Sequence, residues 1–119
     1  MEETIKENAF RAVKAAEDKK AKDIQLLEVS ELTIIADYFV ICSGNTERQV
    51  EAIARGIEEE LAEKDIFPQR IAGKEDARWI LLDYADFIVH VFHHEEREYY
   101  ELERLWADAE KLLAEKEQQ

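Results

Sequence analysis

Asp37-Tyr38-Phe39-Val40-Ile41-Cys42-Ser43, followed by Gly44-Asn45-Thr46, is the stretch on which the fold turns. The first part is nearly continuous in apolar and aromatic residues and too short for a helix. It does not alternate, which marks a strand covered on both faces, the centre of a sheet. Ser43-Gly44-Asn45 is a turn, and Thr46 with Gln49 then has capping-box spacing ahead of Val50, Ile53, Ala54, Ile57 and Leu61 at helical spacing. Gly56 interrupts that helix at a cost of about 1 kcal/mol relative to alanine. It is either a tolerated weakness or a point of close packing.

Working outward, Thr4 with Glu7 also has capping-box spacing, and Ile5, Ala9, Ala12, Val13 and Ala16 predict an amphipathic helix ending near Lys19-Lys20. Ile24-Gln25-Leu26-Leu27-Glu28-Val29 partly alternates and reads as a strand with one wetter face near a sheet edge, joined to the central strand by Ser30 to Ala36. Downstream, Pro68 and Gly73 bracket a loop with room for a short strand. Trp79-Ile80-Leu81-Leu82 and Phe87-Ile88-Val89-His90-Val91-Phe92 flank a tight turn and predict a hairpin. Tyr99, Leu102, Trp106, Ala109 and Leu113 share a helical stripe, so a long closing helix is expected over Glu95 to Glu115, before a polar tail from about residue 116. The helix between strands permits a parallel crossover while the hairpin is antiparallel. The fold class is therefore α/β (α+β): one domain over residues 1–119, with a single mixed sheet flanked by helices.

Composition narrows the function. The formal charge of −13, from 16 basic and 29 acidic residues, repels phosphate backbones and removes the counterion release that drives nonspecific nucleic-acid binding. Direct DNA binding is not expected, and little or no direct RNA binding. A basic protein partner is compatible with the charge. No apolar run approaches the ~18 residues of a membrane span, and Met1-Glu2-Glu3-Thr4 resembles neither a signal nor a transit peptide, so a cytoplasmic protein is expected. Cys42, the only cysteine, sits within the apolar run as a small hydrophobe.

Residues that could carry chemistry are few. His90, His93 and His94 are the tempting zinc ligands, but adjacent His93 and His94 would point apart on an extended chain, so no metal and no cofactor is expected. His90 alternates with Ile88 and Phe92. It reads either as a partly buried histidine with a hydrogen-bond partner such as a carboxylate, or as part of a binding surface. The turn at Ser43-Gly44-Asn45-Thr46 lacks the lysine and spacing of a P-loop, and the glycines of a dinucleotide fingerprint. Glu47 stands without the second carboxylate that nucleotidyl transfer needs to hold magnesium. Asp83 and Asp86 flank the hairpin turn, where aspartates bond local backbone amides. Catalysis is not expected. Trp79 and Tyr84 follow polar or turn residues, are less easily hidden than Tyr99 and Trp106, and are candidates for an interface.

The segments Ala36 to Gly44, Arg48-Gln49-Val50, Trp79 to Asp86, Val89-His90-Val91-Phe92 and Arg97-Glu98-Tyr99-Tyr100-Glu101-Leu102-Glu103-Arg104-Leu105-Trp106 together resemble the RsfS/Iojap family of ribosomal silencing factors, over nearly the whole chain. The resemblance implies a nucleotidyltransferase-like fold without known catalysis. It implies docking on the large ribosomal subunit through its fourteenth protein, which blocks the small subunit sterically and represses translation. Members in mitochondria and chloroplasts act in ribosome assembly, so an assembly role is the alternative and a nucleotidyltransferase-like enzyme the poorer one. Carried onto this chain, the partner-binding surface comprises Trp79, Leu81, Asp83, Tyr84, Asp86, His90, Tyr99 and Tyr100. Such an aromatic surface could also pair two copies of the free protein as a homodimer. One departure stands out: the family often has glycine just before the turn aspartate, where this chain has Ala85, which would be strained if the turn needs a positive φ.

Overall fold

The computed structural model describes residues 2–100 and 110–114. In chain order they form α1 (Glu2–Asp18), β1 (Lys22–Glu28), β2 (Tyr38–Gly44), α2 (Glu47–Ala62), β3 (Arg70–Ala72), β4 (Trp79–Asp83), β5 (Phe87–His93), α3 (His94–Tyr100) and β6 (Glu110–Ala114). The strands make one six-stranded sheet in the order β3-β4-β5-β2-β1-β6. β2 and β5 are parallel, while the other neighbours are antiparallel. This is the mixed sheet that the sequence predicts. β2 is interior and buried along its whole length, as its unbroken apolar run requires.

Alternation along the strands builds two cores. Ile24, Leu26, Val40, Cys42, Ile80, Leu82, Val89 and Val91 face α1 and α2. Leu27, Phe39, Ile41, Ile88 and Phe92 form a second buried cluster on the opposite face, with Trp79 and Leu81 half-buried against it. Ala9, Ala12 and Ala16 give α1 a stripe small enough to lie close to the sheet. Gly56 is buried beside the Lys19 side chain, where a Cβ would come within 2.8 Å of Lys19 Cε, a contact that the flexible lysine can relieve by moving. Gly73 has φ +86, and a Cβ at that position would meet Trp79 O at 2.0 Å, so only glycine fits the hairpin before β4.

Thr46 caps α2 as its spacing predicts. Its Oγ1 accepts from Gln49 N at 3.0 Å, Gln49 Oε1 accepts from Asn45 N at 2.7 Å, and Gln49 Nε2 donates to Lys20 O at 3.0 Å, tying α2 to the end of α1. Thr4 is no cap, because α1 already starts at Glu2.

Two larger expectations fail together. β1 does lie near the sheet edge, one strand in, but it has no wetter face: Ile24, Gln25, Leu26 and Leu27 are all fully buried. Its outer side is occupied by β6, with Leu26 opposite Leu113 and Glu28 opposite Glu110. The closing helix is only α3 within the described residues, and Glu110–Ala114 is a strand rather than the last turns of a helix. The physical reason is that an open edge of β1 offers unpaired backbone groups. Pairing with them outweighs the weak helical preference of Glu-Lys-Leu-Leu-Ala. Leu102, Trp106, Ala109 and the tail from 116 lie outside the described residues.

Candidate functional site

The β4–β5 hairpin carries most of the residues singled out for partner binding. In β4, Ile80 and Leu82 turn into the helix-side core, which leaves Trp79, Leu81 and Asp83 half-exposed on the other face. Directly opposite them in β5 stand Phe92, His90 and Ile88. The Trp79 ring lies 4.8 Å from Phe92 and 6.0 Å from His90, and Phe39 meets His90 edge-on at 5.0 Å. A row of rings thus runs from the middle of the sheet out to Trp79, which holds the indole rigid.

His90 itself is buried, and its partner is an indole, not a carboxylate: Trp79 Nε1 donates to His90 Nδ1 at 3.2 Å. Accepting at Nδ1 leaves the proton on Nε2, which has no partner among the described residues. Burial lowers its pKa to about 4, so the ring is neutral near pH 7. His93 is buried too, and its Nδ1 accepts from Glu95 N at 3.2 Å while its ring stacks on His94. Among the described residues no three His, Cys, Asp or Glu side chains converge on a metal position.

Tyr84 corrects the expectation of exposure. It is 7% exposed, belongs to the helix-side core, and stacks on Phe87 at 4.9 Å. A turn residue is normally open, but the chain direction at Tyr84 sends the ring back under the hairpin, and burial, with Glu58 nearby, pushes its phenol well above the ordinary range. Asp86 is exposed at the turn tip. Asp83 bonds the local backbone as turn aspartates do, its Oδ1 accepting from Ala85 N at 2.8 Å. Tyr99 and Tyr100 are the last two residues of α3, and their side chains lie outside the described residues.

Ala85 has φ 73, the positive angle that makes alanine strained. Ala85→Gly is expected to stabilise the protein by about 1 kcal/mol, read as a higher urea midpoint with an unchanged slope. An unchanged or lower midpoint would show that the turn pays nothing for its alanine.

The residue that sequence reasoning missed is Arg78. Its guanidinium donates to Glu47 at 3.0 Å, Glu95 at 3.1 Å and Glu96 at 3.1 Å, so the start of β4 is fastened to the first turns of α2 and α3. These contacts raise the arginine pKa, Glu95 and Glu47 foremost, while Glu47 and Glu95 are lowered. The group is solvated and salt-sensitive, but it fixes the residue next to Trp79. An arginine before a strand and two glutamates opening a helix were visible in the sequence, although their meeting in space was not. It also leaves Glu47 committed to a cation of the fold.

A rigid, half-exposed aromatic and aliphatic face on an acidic sheet protein has relatives. Residues 2–119 match the family described as RsfS, ribosomal silencing factor during starvation. The chain belongs to the RsfS family. It is 48% identical over 98 residues to the ribosomal silencing factor RsfS of Bacillus subtilis, covering 82% of this chain and 83% of that one. A crystal structure of a Chromobacterium violaceum protein superposes with a TM-score of 0.84 at 36% identity, over 87% of this chain and 86% of the other. A mouse protein named mitochondrial assembly of ribosomal large subunit protein 1 is 32% identical over 91 residues, 74% of this chain and 40% of that longer one. Membership in the RsfS family gives the chain the general role of a ribosomal silencing factor. Among its described residues no helix is long and apolar enough to cross a membrane.

Proposed function

We propose that this RsfS-family chain docks on the large ribosomal subunit through the fourteenth large-subunit protein, and that its bulk there blocks the small subunit and represses translation. It works by occupying a surface, not by catalysing a reaction, in the cytoplasm. The observation that carries this reading is the half-exposed Trp79–Leu81–Asp83 face, backed by buried Phe92 and His90. A pre-formed aromatic anchor loses little freedom on binding, as good interface anchors require. The charge of −13 suits a basic ribosomal protein and would speed its encounter. Leu81, Asp83 and exposed Asp86 extend the contact from Trp79 along the hairpin. Buried His90 supports it from within the sheet, whereas Tyr84 lies in the opposite, helix-side core.

The test is co-sedimentation of the purified chain with isolated large and small subunits. Selective binding to large subunits is expected, weakened about tenfold or more by Trp79→Ala, the loss of a hot-spot aromatic. No binding to large subunits at low or moderate salt overturns the reading, whereas equal binding by Trp79→Ala moves the interface elsewhere.

The name of the mouse relative favours a second reading, large-subunit assembly, at the same face. Subunit profiles of a deletion strain separate the two. Normal mature subunits with failed repression in starvation exclude assembly, and accumulating precursors exclude simple silencing. A homodimer of the free protein, formed through the same aromatic face, would appear as self-association at micromolar concentration that large subunits disrupt.

A further inference from the structure

The loop between β1 and β2 is held by its own backbone. Val29 N donates to Asp37 O at 2.9 Å, Leu32 N and Thr33 N donate to Val29 O at 2.9 and 3.0 Å, and Asp37 N donates to Asp86 O at 2.8 Å. Thr33 Oγ1 accepts from Ile35 N at 3.1 Å. Val29 and Ala36 are anchored in the second core. This fixed loop nevertheless turns three aliphatic side chains to solvent: Leu32 is 45%, Ile35 64% and Ile34 103% exposed. Its bond to Asp86 places it against the turn where the Trp79–Leu81–Asp83 face ends.

We propose that Leu32, Ile34 and Ile35 are an apolar anchor of the docking, seated in an apolar depression of a basic ribosomal protein surface; this rests on the large-subunit reading above. The occupant follows from charge. The loop carries Glu31 and Asp37 and no basic residue, and exposed Asp86 adjoins it. RNA and anionic lipid are repelled by such a surface. A second copy would set these acids against their like. Three aliphatic side chains also make a patch on the order of a few hundred Å², well short of the ~800 Å² per partner of a stable pairing. A basic protein satisfies both the charge and the apolar knob, and a knob held by hydrogen bonds needs no ordering when it binds.

The test compares wild type, an Ile34→Ser, Ile35→Ser double variant and Glu31→Lys in titrations against purified large subunits at moderate salt. All three positions are exposed, so melting temperatures are expected to agree. The double variant is expected to bind at least tenfold more weakly and Glu31→Lys several-fold more weakly. Undiminished binding by both variants beside normal wild-type binding overturns the loop proposal alone. Failure of wild type to sediment with large subunits removes the docking reading and the loop proposal with it. Wild-type self-association that the double variant loses, with subunit binding intact, assigns the loop to a second copy instead and also overturns it.

Discussion

Phe92→Ala is expected to destabilise the protein by about 3–5 kcal/mol, the range for deleting a ring from a packed core. Phe92 is fully buried in β5, opposite Trp79 on one side and in register with Ser43 of β2 on the other. Its removal costs the transfer free energy of the ring and leaves a cavity that the β2–β5 pair cannot close without giving up ladder hydrogen bonds. Domains of this size have ~5–15 kcal/mol in total, so the variant would lie near the limit of folding. Urea denaturation measures the effect as a drop in midpoint, and Phe92→Leu is expected to recover most of it, costing about 1–2 kcal/mol. A loss below about 1 kcal/mol for the alanine variant would mean that the second core has other means of closing. Trp79 would then not depend on the ring 4.8 Å beneath it.

The contrast between β2 and β6 shows which parts of this fold can be read from sequence. β2 is legible because burial on both faces leaves no freedom in residue type: every position from Tyr38 to Gly44 must be apolar or small. Thr46 and Gln49 are legible because capping is local, decided within four residues by the bonds that close it. β6 was not, since a short Lys-Leu-Leu run fits either period and its strand exists only because β1, far away in sequence, has an edge to offer. The same distance effect disguised β1, whose Gln25 looks like a solvent residue in the sequence and is fully buried in the fold.

At the site, alternation placed Trp79, Leu81 and Asp83 on one face correctly, because the period of a strand is fixed by its geometry. It could not say that Tyr84, at the end of that strand, folds back into the core, since the turn is where the period stops. The positive φ at Ala85 was foreseen only as a consequence of the family's glycine, and it is what lets the chain reverse there. Arg78 and the Leu32–Ile35 loop escaped for a shared reason. Their significance lies in what surrounds them, three glutamates from two helices in one case and open solvent in the other.

Stability is expected to fall by about 2–3 kcal/mol as the pH drops from 6.5 to 4.5, through His90. The folded protein holds this residue at a pKa of about 4, against an ordinary value near 6.5. Well above pH 6.5 the ring is neutral in both states and contributes no pH dependence. Below it, the unfolded chain takes up a proton that the folded chain refuses until about pH 4, so unfolding is favoured progressively. The refusal has a structural cause: the ring is buried away from water, among Phe39, Phe92 and Leu81, which offer no negative charge to a cation, and its Nδ1 is already taken as an acceptor by Trp79 Nε1. Glu47 and Glu95 act in the same direction but mostly lower down, because their depressed pKa values add stability that is lost as pH falls through the ordinary carboxylate range. The carboxylates already begin to contribute at the lower end of the window from 6.5 to 4.5, so His90 is isolated by the difference between wild type and a variant without the imidazole. Denaturant titrations of wild type and His90→Phe should diverge in slope across this window, wild type losing about 2–3 kcal/mol more than the variant, whatever the variant's stability at neutral pH. Parallel curves would mean that the imidazole can be protonated in place, and that the row of rings under Trp79 opens more easily than its burial implies.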